Sequence, residues 1–432
     1  MRYAPFTLFR VYNYSICACL LGAPALAQEC DGSFESAVNY PAGNSTRSTA
    51  LGDVNGDGNL DLSLANFLDD TLGVYLNNGD GTFGTQIIYP TGDGPIDLTF
   101  ADVNADGHLD IGVANAFENS AGVLMNNGDG TFASAVSYTT GFSPRSIRFD
   151  DFDGDADLDM VVVNDIGPGV SVFLNMGDGT FAPQVQYAAS GRPTSVTLGD
   201  LNADGDIDIV VVNFTGDSVS VLLGNGDGSF EPPTDYGVGD QPRRGVLGDV
   251  DGDNDLDIIV GNQGPDNVSV LLNLGDGTFL ADSLYPAGES PRGIDVGDLD
   301  NDGDLDIAVA NGGGSASVLL NTGVGTFAPP IDYITGGGSV GVMLGDVDQD
   351  GDLDMAVANE FGDDMSVLIN LCETKNPCPA DLTGDGELNF FDVSAFLTAF
   401  GAEDPAADFN DDGMFTFFDV SAFLVAFQET CP

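Results

Sequence analysis

Seven acidic loops recur along the chain, beginning at Asp53, Asp102, Asp151, Asp200, Asp249, Asp298 and Asp346. Their starts lie 49, 49, 49, 49, 49 and 48 residues apart. A period this constant means one supersecondary unit repeated in tandem, each copy burying its apolar face against its neighbours. Between loops, every copy carries four short segments rich in β-branched and aromatic residues, as at 146–150, 158–163, 170–174 and 181–187, separated by glycine-bearing turns. A second turn, Asn-x-Gly-Asp-Gly-Thr-Phe, recurs at 77–83 and 273–279, and its Asp-Gly pair signals a hairpin between the third and fourth strands. Four strands per unit and seven units predict an all-β fold, a seven-bladed β-propeller whose radial closure hides its sheet edges.

Each loop places oxygen-bearing side chains on alternate residues. The first carries Asp53, Asn55, Asp57, Asn59 and Asp61, and the second Asp102, Asn104, Asp106, His108 and Asp110. Asp151, Asp153, Asp155, Asp157 and Asp159 follow, then Asp200, Asn202, Asp204, Asp206 and Asp208. The last three hold Asp249, Asp251, Asp253, Asp255 and Asp257; Asp298, Asp300, Asp302, Asp304 and Asp306; and Asp346, Asp348, Asp350, Asp352 and Asp354. Alternate carboxylates in a tight loop suit a hard divalent cation with six or more oxygen ligands, so seven Ca2+ sites are expected, with the position-seven residue ligating through its backbone carbonyl. His108, the only histidine, therefore reads as a surface substituent rather than a catalytic base. Position six is glycine in five copies, as a left-handed backbone requires; Ala156 and Asn254 depart from this, and Ala156 marks the most strained loop.

Residues 1–27 read as a secretory signal, with Arg2 and Arg10 before an apolar stretch and a small-residue cleavage site, so export is expected. Its removal leaves 8 basic against 69 acidic residues, a formal charge of −61 that repels nucleic acid and anionic lipid. No later segment has the apolar length of a membrane span.

The last copy stops before its fourth strand, and the missing piece stands at 31–40. The N-terminus is therefore expected to complete the last blade, and Cys30 and Cys372 fall at one hairpin turn, where a disulfide clasp is expected. Cys378 and Cys431 would then pair around the tail, although four cysteines allow three pairings.

On these repeats, residues 28–372 resemble the FG-GAP/VCBS family, the calcium-bearing propeller type also found in integrin α-subunits. The resemblance implies acidic loops between the first and second strands, on one face. It also places Arg47, Arg145, Arg243 and Arg292, each six residues before its loop, and Arg192, eight before, on the opposite face near the central channel. Two readings follow: a collar for an anionic glycan or peptide, or structural pairs with neighbouring acids.

After a linker at 373–379, the composition of 380–432 changes to two loop-helix units. Asp381, Thr383, Asp385, Glu387, Asn389 and Asp392 occupy the ligand positions of a 12-residue EF-hand-like loop, and Asp408, Asn410, Asp412, Met414, Thr416 and Asp419 repeat the pattern. With Asp rather than Glu at position 12, this duplication resembles a dockerin, which implies two further Ca2+ ions and a cohesin-like or cell-surface protein partner. Phe390, Phe391, Phe417 and Phe418 have two readings, partner-binding aromatics or, with Phe396, Phe400, Phe423 and Phe427 at helical spacing, core residues, and the second is favoured for most. Together these features predict a secreted, calcium-binding, non-catalytic binding or adhesion propeller tethered through its tail. The alternative is a surface-attached carbohydrate-active enzyme, which requires one singular carboxylate pair in place of seven equivalent loops.

Overall fold

The computed structural model describes residues 30–372, 380, 382, 388–402, 407, 409 and 414–427. The signal at 1–27, the linker at 373–379, Cys378 and Cys431 lie outside these residues. So do Asp381, Thr383, Asp385, Glu387, Asp408, Asn410, Asp412 and the side chain of Asp419. The chain divides into two compact units, one spanning Cys30–Thr374 and one containing Lys375–Pro432.

The first unit is a ring of seven four-stranded antiparallel sheets. Blade one is built from Thr46–Gly52, Asp61–Asn66, Thr71–Tyr75 and Ile87–Pro90. The first strands pack side by side around the axis, and Ser339–Gly345 closes the ring against Thr46–Gly52. Burial decides composition from the axis outward. The second strands are covered on both faces and read as runs of Val, Ile and Ala, as in Asp208–Asn213, whereas the fourth strands are largely exposed and keep one half-buried tyrosine each. That tyrosine meets a phenylalanine of the next blade edge-on, for example Tyr89 on Phe132 at 5.4 Å and Tyr236 on Phe279 at 5.2 Å between ring centroids. Seven such pairs circle the molecule, each contributing about 0.5–1.5 kcal/mol beyond its buried area.

The circle is complete because the N-terminus supplies blade seven, as expected. Val38–Pro41 pairs with Asp364–Leu368 as that blade's outermost strand, Phe34 receives Tyr333 of blade six at 5.3 Å, and Tyr40 stacks edge-on against Phe83 of blade one at 5.5 Å. Cys30 and Cys372 form the expected disulfide.

In the second unit, helices Phe390–Ala402 and Phe417–Ala426 share an apolar core, in which Phe396 and Phe423 stack at 4.1 Å. Phe400 and Phe427 also pack there, whereas Phe390 is 77% exposed and stands outside that majority: it is the first residue of its helix and its side chain points to solvent. The Asn389 N–H donates to Asp392 at 2.8 Å, a side-chain cap at the helix start.

The disulfide spans 342 residues, so replacing Cys30 and Cys372 together by serine removes a large loop constraint, roughly 6 kcal/mol at most in the chain-entropy model. Thermal melts of the double variant are expected to fall by several degrees with unchanged β-sheet circular dichroism.

Candidate functional site

In each loop the first aspartate wraps the turn. Asp53 Oδ1 accepts the Gly56 N–H at 2.7 Å and Oδ2 accepts the Gly58 N–H at 2.8 Å. Such a tight wrap needs left-handed backbone at positions four and six, and both have positive φ in all seven loops. Ala156 (φ 73°) and Asn254 (φ 72°) hold it without glycine, as do Ala105 and Ala203 at position four, a requirement that the sequence reading missed. The surrounding space is open at Gly58, so any cost of alanine there is backbone strain of about 1 kcal/mol rather than a clash.

The ninth residue opens the second strand and is buried. Asp61 Oδ2 accepts the Val54 N–H at 3.1 Å, and Oδ1 accepts the Asn77 N–H at 2.8 Å from the end of the third strand. The Asn77 side chain then donates to Leu60 O of its own loop and to Val347 O of the preceding blade's loop. Asn126, Asn175, Asn273, Asn321 and Asn370 repeat this bridge. Blade four has Gly224 instead: its N–H still binds Asp208, but a Cβ there would lie 2.5 Å from Ile207 O.

The donor set fits a hard cation. One carboxylate oxygen from each of Asp151, Asp153 and Asp159 lies within 4.8 Å of the others, and Asp249/Asp251/Asp257, Asp298/Asp300/Asp302 and Asp346/Asp348/Asp354 converge alike. Oδ1 atoms of Asp153, Asp251 and Asp300 are buried and accept no hydrogen bond, an arrangement that a cation would satisfy. In loops with asparagine at position three the geometry differs, since Asn55 Nδ2 donates to Asp57 at 3.0 Å, and Asn104 and Asn202 do likewise. The His108 N–H donates to Asp106, as the position-seven residues of other loops do to position five.

Burial, opposed by the two N–H bonds and reinforced by neighbouring loop acids, raises the ninth carboxyl. Asp61, Asp159, Asp208 and Asp257 reach about 6, and Asp306 and Asp354 about 7, against an ordinary 3.8. Their protonated form is favoured by folding, so this contribution is fully present below about pH 4 and is lost as pH rises through 6 to 7. In chelator, the melting temperature is expected to fall by several degrees between pH 5 and 8. With excess Ca2+, which keeps the carboxylates ionised, the trend should reverse.

At the other end of the first strands lies a different chemistry. Every first strand has a bulge at its start, between Thr46 and Ser48 in blade one and between Pro242 and Arg244 in blade five. The bulged residues are Arg47, Ile96, Arg145, Thr194, Arg243, Arg292 and Val340, and all seven line a pit of about 230 Å³ on the axis. A bulge leaves one residue out of the ladder and re-aims its side chain, here toward the channel. Arg47 and Arg292 share Glu360, each at 2.7 Å, and Arg145 and Arg192 share Asp165 at 2.7 and 2.5 Å. Both acids follow the last asparagine of a second strand, a place held by Phe67, Ala116, Phe214, Gln263 and Gly312 in other blades, so aligning the repeats exposes them. Four of the five arginines thus have an acid partner. Arg243 differs: its Nε donates to Gln263 at 2.6 Å, and among the described residues no carboxylate pairs with it. Burial first, then the other four arginines, lowers it to about 10, so it stays charged at neutral pH.

Deeper in the bore, Asp97 accepts from Arg148 at 2.9 Å, from Arg244 across the channel, and from Ser48 and Ser146. Burial alone would raise this carboxyl; the two arginines and then the serines outweigh it and hold it at about 2. All seven arginines of residues 30–374, the only basic residues of that unit apart from His108, sit in the pit, on its rim or in the bore. Replacing Asp97 by asparagine removes the only carboxylate these two part-buried guanidinium groups share, and a loss of about 2–3 kcal/mol in denaturant unfolding is expected.

Solved structures share the fold. The BBS1 N-terminal domain crystallised with ARL6 matches over 78% of this chain and 97% of its own, with a TM-score of 0.57 at 14% identity. Virginiamycin B lyase from Staphylococcus aureus matches over 78% and 99%, TM-score 0.55 at 11% identity, and the WD40 propeller of Doa1 over 78% and 96%, TM-score 0.54 at 11% identity. No curated protein sequence matches the chain significantly. At these identities the likeness concerns the fold alone. The FG-GAP-like repeat model matches residues 53–113, 151–211, 200–260, 249–309 and 298–357, more than half of the chain, which therefore belongs to the FG-GAP-like repeat family.

Proposed function

We propose that this protein is a secreted, calcium-stabilised, non-catalytic propeller that binds an anionic ligand in its arginine pit and is tethered through a dockerin-like tail. The observation that carries the binding role is charge placement. In a chain of formal charge −59, the pit and its rim gather six arginines, of which Arg244 is paired with Asp97 beneath, four share Glu360 and Asp165, and Arg243 is unneutralised. A pit lined by planar, always-charged donors suits carboxylates, as in an acidic peptide or a uronic-acid glycan.

Calcium has a supporting role at the opposite end of the strands. The buried unpartnered oxygens of Asp153, Asp251 and Asp300 favour about seven ions in the loops, and the tail pattern about two more. In the tail, the phenylalanine core and the Asn389–Asp392 cap are compatible with a compact loop-helix pair offering a surface to a cohesin-like or cell-surface protein. Among the described residues no helix is long and apolar enough to cross a membrane.

The test is calorimetric titration of the calcium-loaded protein with citrate, oligogalacturonate and a glutamate-rich peptide, in wild type and Arg243→Gln. At least one polycarboxylate should bind, with affinity falling about tenfold in the variant and steeply with salt. Absence of binding by all three, or binding indifferent to Arg243, would remove the anion role.

A further inference from the structure

The neighbourhood of the pit restricts what carries the anionic group. Arg243 is held by two neutral contacts, the Gln263 hydrogen bond and the Phe214 ring 4.4 Å from its guanidinium carbon. The Nε groups of Arg47, Arg145 and Arg292 are buried there without an acceptor. Beneath them the Arg244–Asp97 pair crosses the bore from blade five to blade two, leaving Asp97 only 1% exposed. The pit is small, about 230 Å³, so a polymer lying in it mid-chain must find room for two flanks, whereas a chain end needs room for one.

A second cavity of about 410 Å³ shares Arg47 and Glu360 with the pit and opens between Leu68 and Phe361. These two side chains are 65% and 68% exposed and occupy the same turn position in adjoining blades one and seven. That position is also apolar and exposed in blades two and three, at Phe117 and Ile166, but is Thr215, Gly264 and Gly313 in blades four to six. The apolar sector is therefore one-sided and continuous with the cationic pit. Sugar hydroxyls laid against Leu68 would lose hydrogen bonds to water without replacement, whereas an apolar peptide side chain gains by burial there.

Building on the anion-binding reading, we infer that the ligand is the C-terminal end of a peptide: its terminal carboxylate docks on Arg243 inside the ring of bulged arginines, and an apolar side chain just upstream fills the cleft between Leu68 and Phe361. Charge complementarity fixes the end of the chain, and the cleft selects its neighbour.

The test is fluorescence anisotropy of the calcium-loaded full chain with N-terminally labelled octapeptides of varied apolar and acidic endings, each with a free C-terminus and as its amide. Free-carboxylate peptides with an apolar penultimate residue should bind, and amidation should weaken them about tenfold. Arg243→Gln should abolish that difference, while Arg243→Lys keeps part of it. Leu68→Ser and Phe361→Ser change exposed side chains, so folding is preserved. Both should weaken these peptides several-fold, and Leu68→Ser, whose side chain has no ring over a pit arginine, should leave citrate binding unchanged. Equal binding of acid and amide, or indifference to both serine variants, overturns the inference. Binding of oligogalacturonate without any peptide also overturns it while the anion reading survives, and failure of every carboxylate removes both.

Discussion

The buried aspartate at the ninth position of each loop is the interaction on which the ring depends. It ties the loop's second residue to the end of the third strand through two N–H bonds, and the asparagine at that end reaches the loop of the preceding blade. Loop geometry and blade-to-blade contact are therefore one hydrogen-bonded system rather than two. A cation that tightens a loop acts directly on an inter-blade seam, which gives the proposed calcium a stabilising route that surface turns would lack.

The first strands separate two opposed electrostatic environments. Each runs from a bulged residue at the pit to an acidic loop, about seven residues and so roughly 20 Å away, with apolar packing between. Arginines placed beside the acidic loops would be neutralised by them. Held at the far end, they are shared among only Glu360 and Asp165 at the mouth and Asp97 within the bore, so positive charge persists in a strongly acidic molecule.

Much of this was legible in the sequence because periodicity and closure are local signals. The 49-residue spacing, the displaced last strand and the two cysteines at one turn each point to a contact without knowledge of the rest. The arginines were legible as a set, since each stands six or eight residues before its loop. Their partners were not, because Glu360 and Asp165 occupy a turn position that carries neither charge nor pattern in the other blades. Arg148 and Arg244 converge on Asp97 from different blades, a meeting that only the closed ring creates. The left-handed position four was hidden because Ala, Asn and Gln stand there beside glycine. Phe390 carries the same residue type as the core phenylalanines around it, and only its place at the helix start turns it outward.

Closure by the N-terminal strand and the Cys30–Cys372 bond changes how such an array comes apart. A linear stack of repeats frays from its ends, where each unit has one neighbour. Here no blade is terminal, so the first step of disassembly is the parting of a seam while all others resist. The junction of blades three and four lacks the bridging asparagine and is held instead by the Gly228 N–H to Phe152 O bond at 2.8 Å, the Tyr187–Phe230 edge contact and the doubly hydrogen-bonded Arg192–Asp165 pair. What one contact lacks at this seam others replace, so the ring offers a protease neither loose ends nor an obvious first opening, and cleavage has to wait for a whole seam to part.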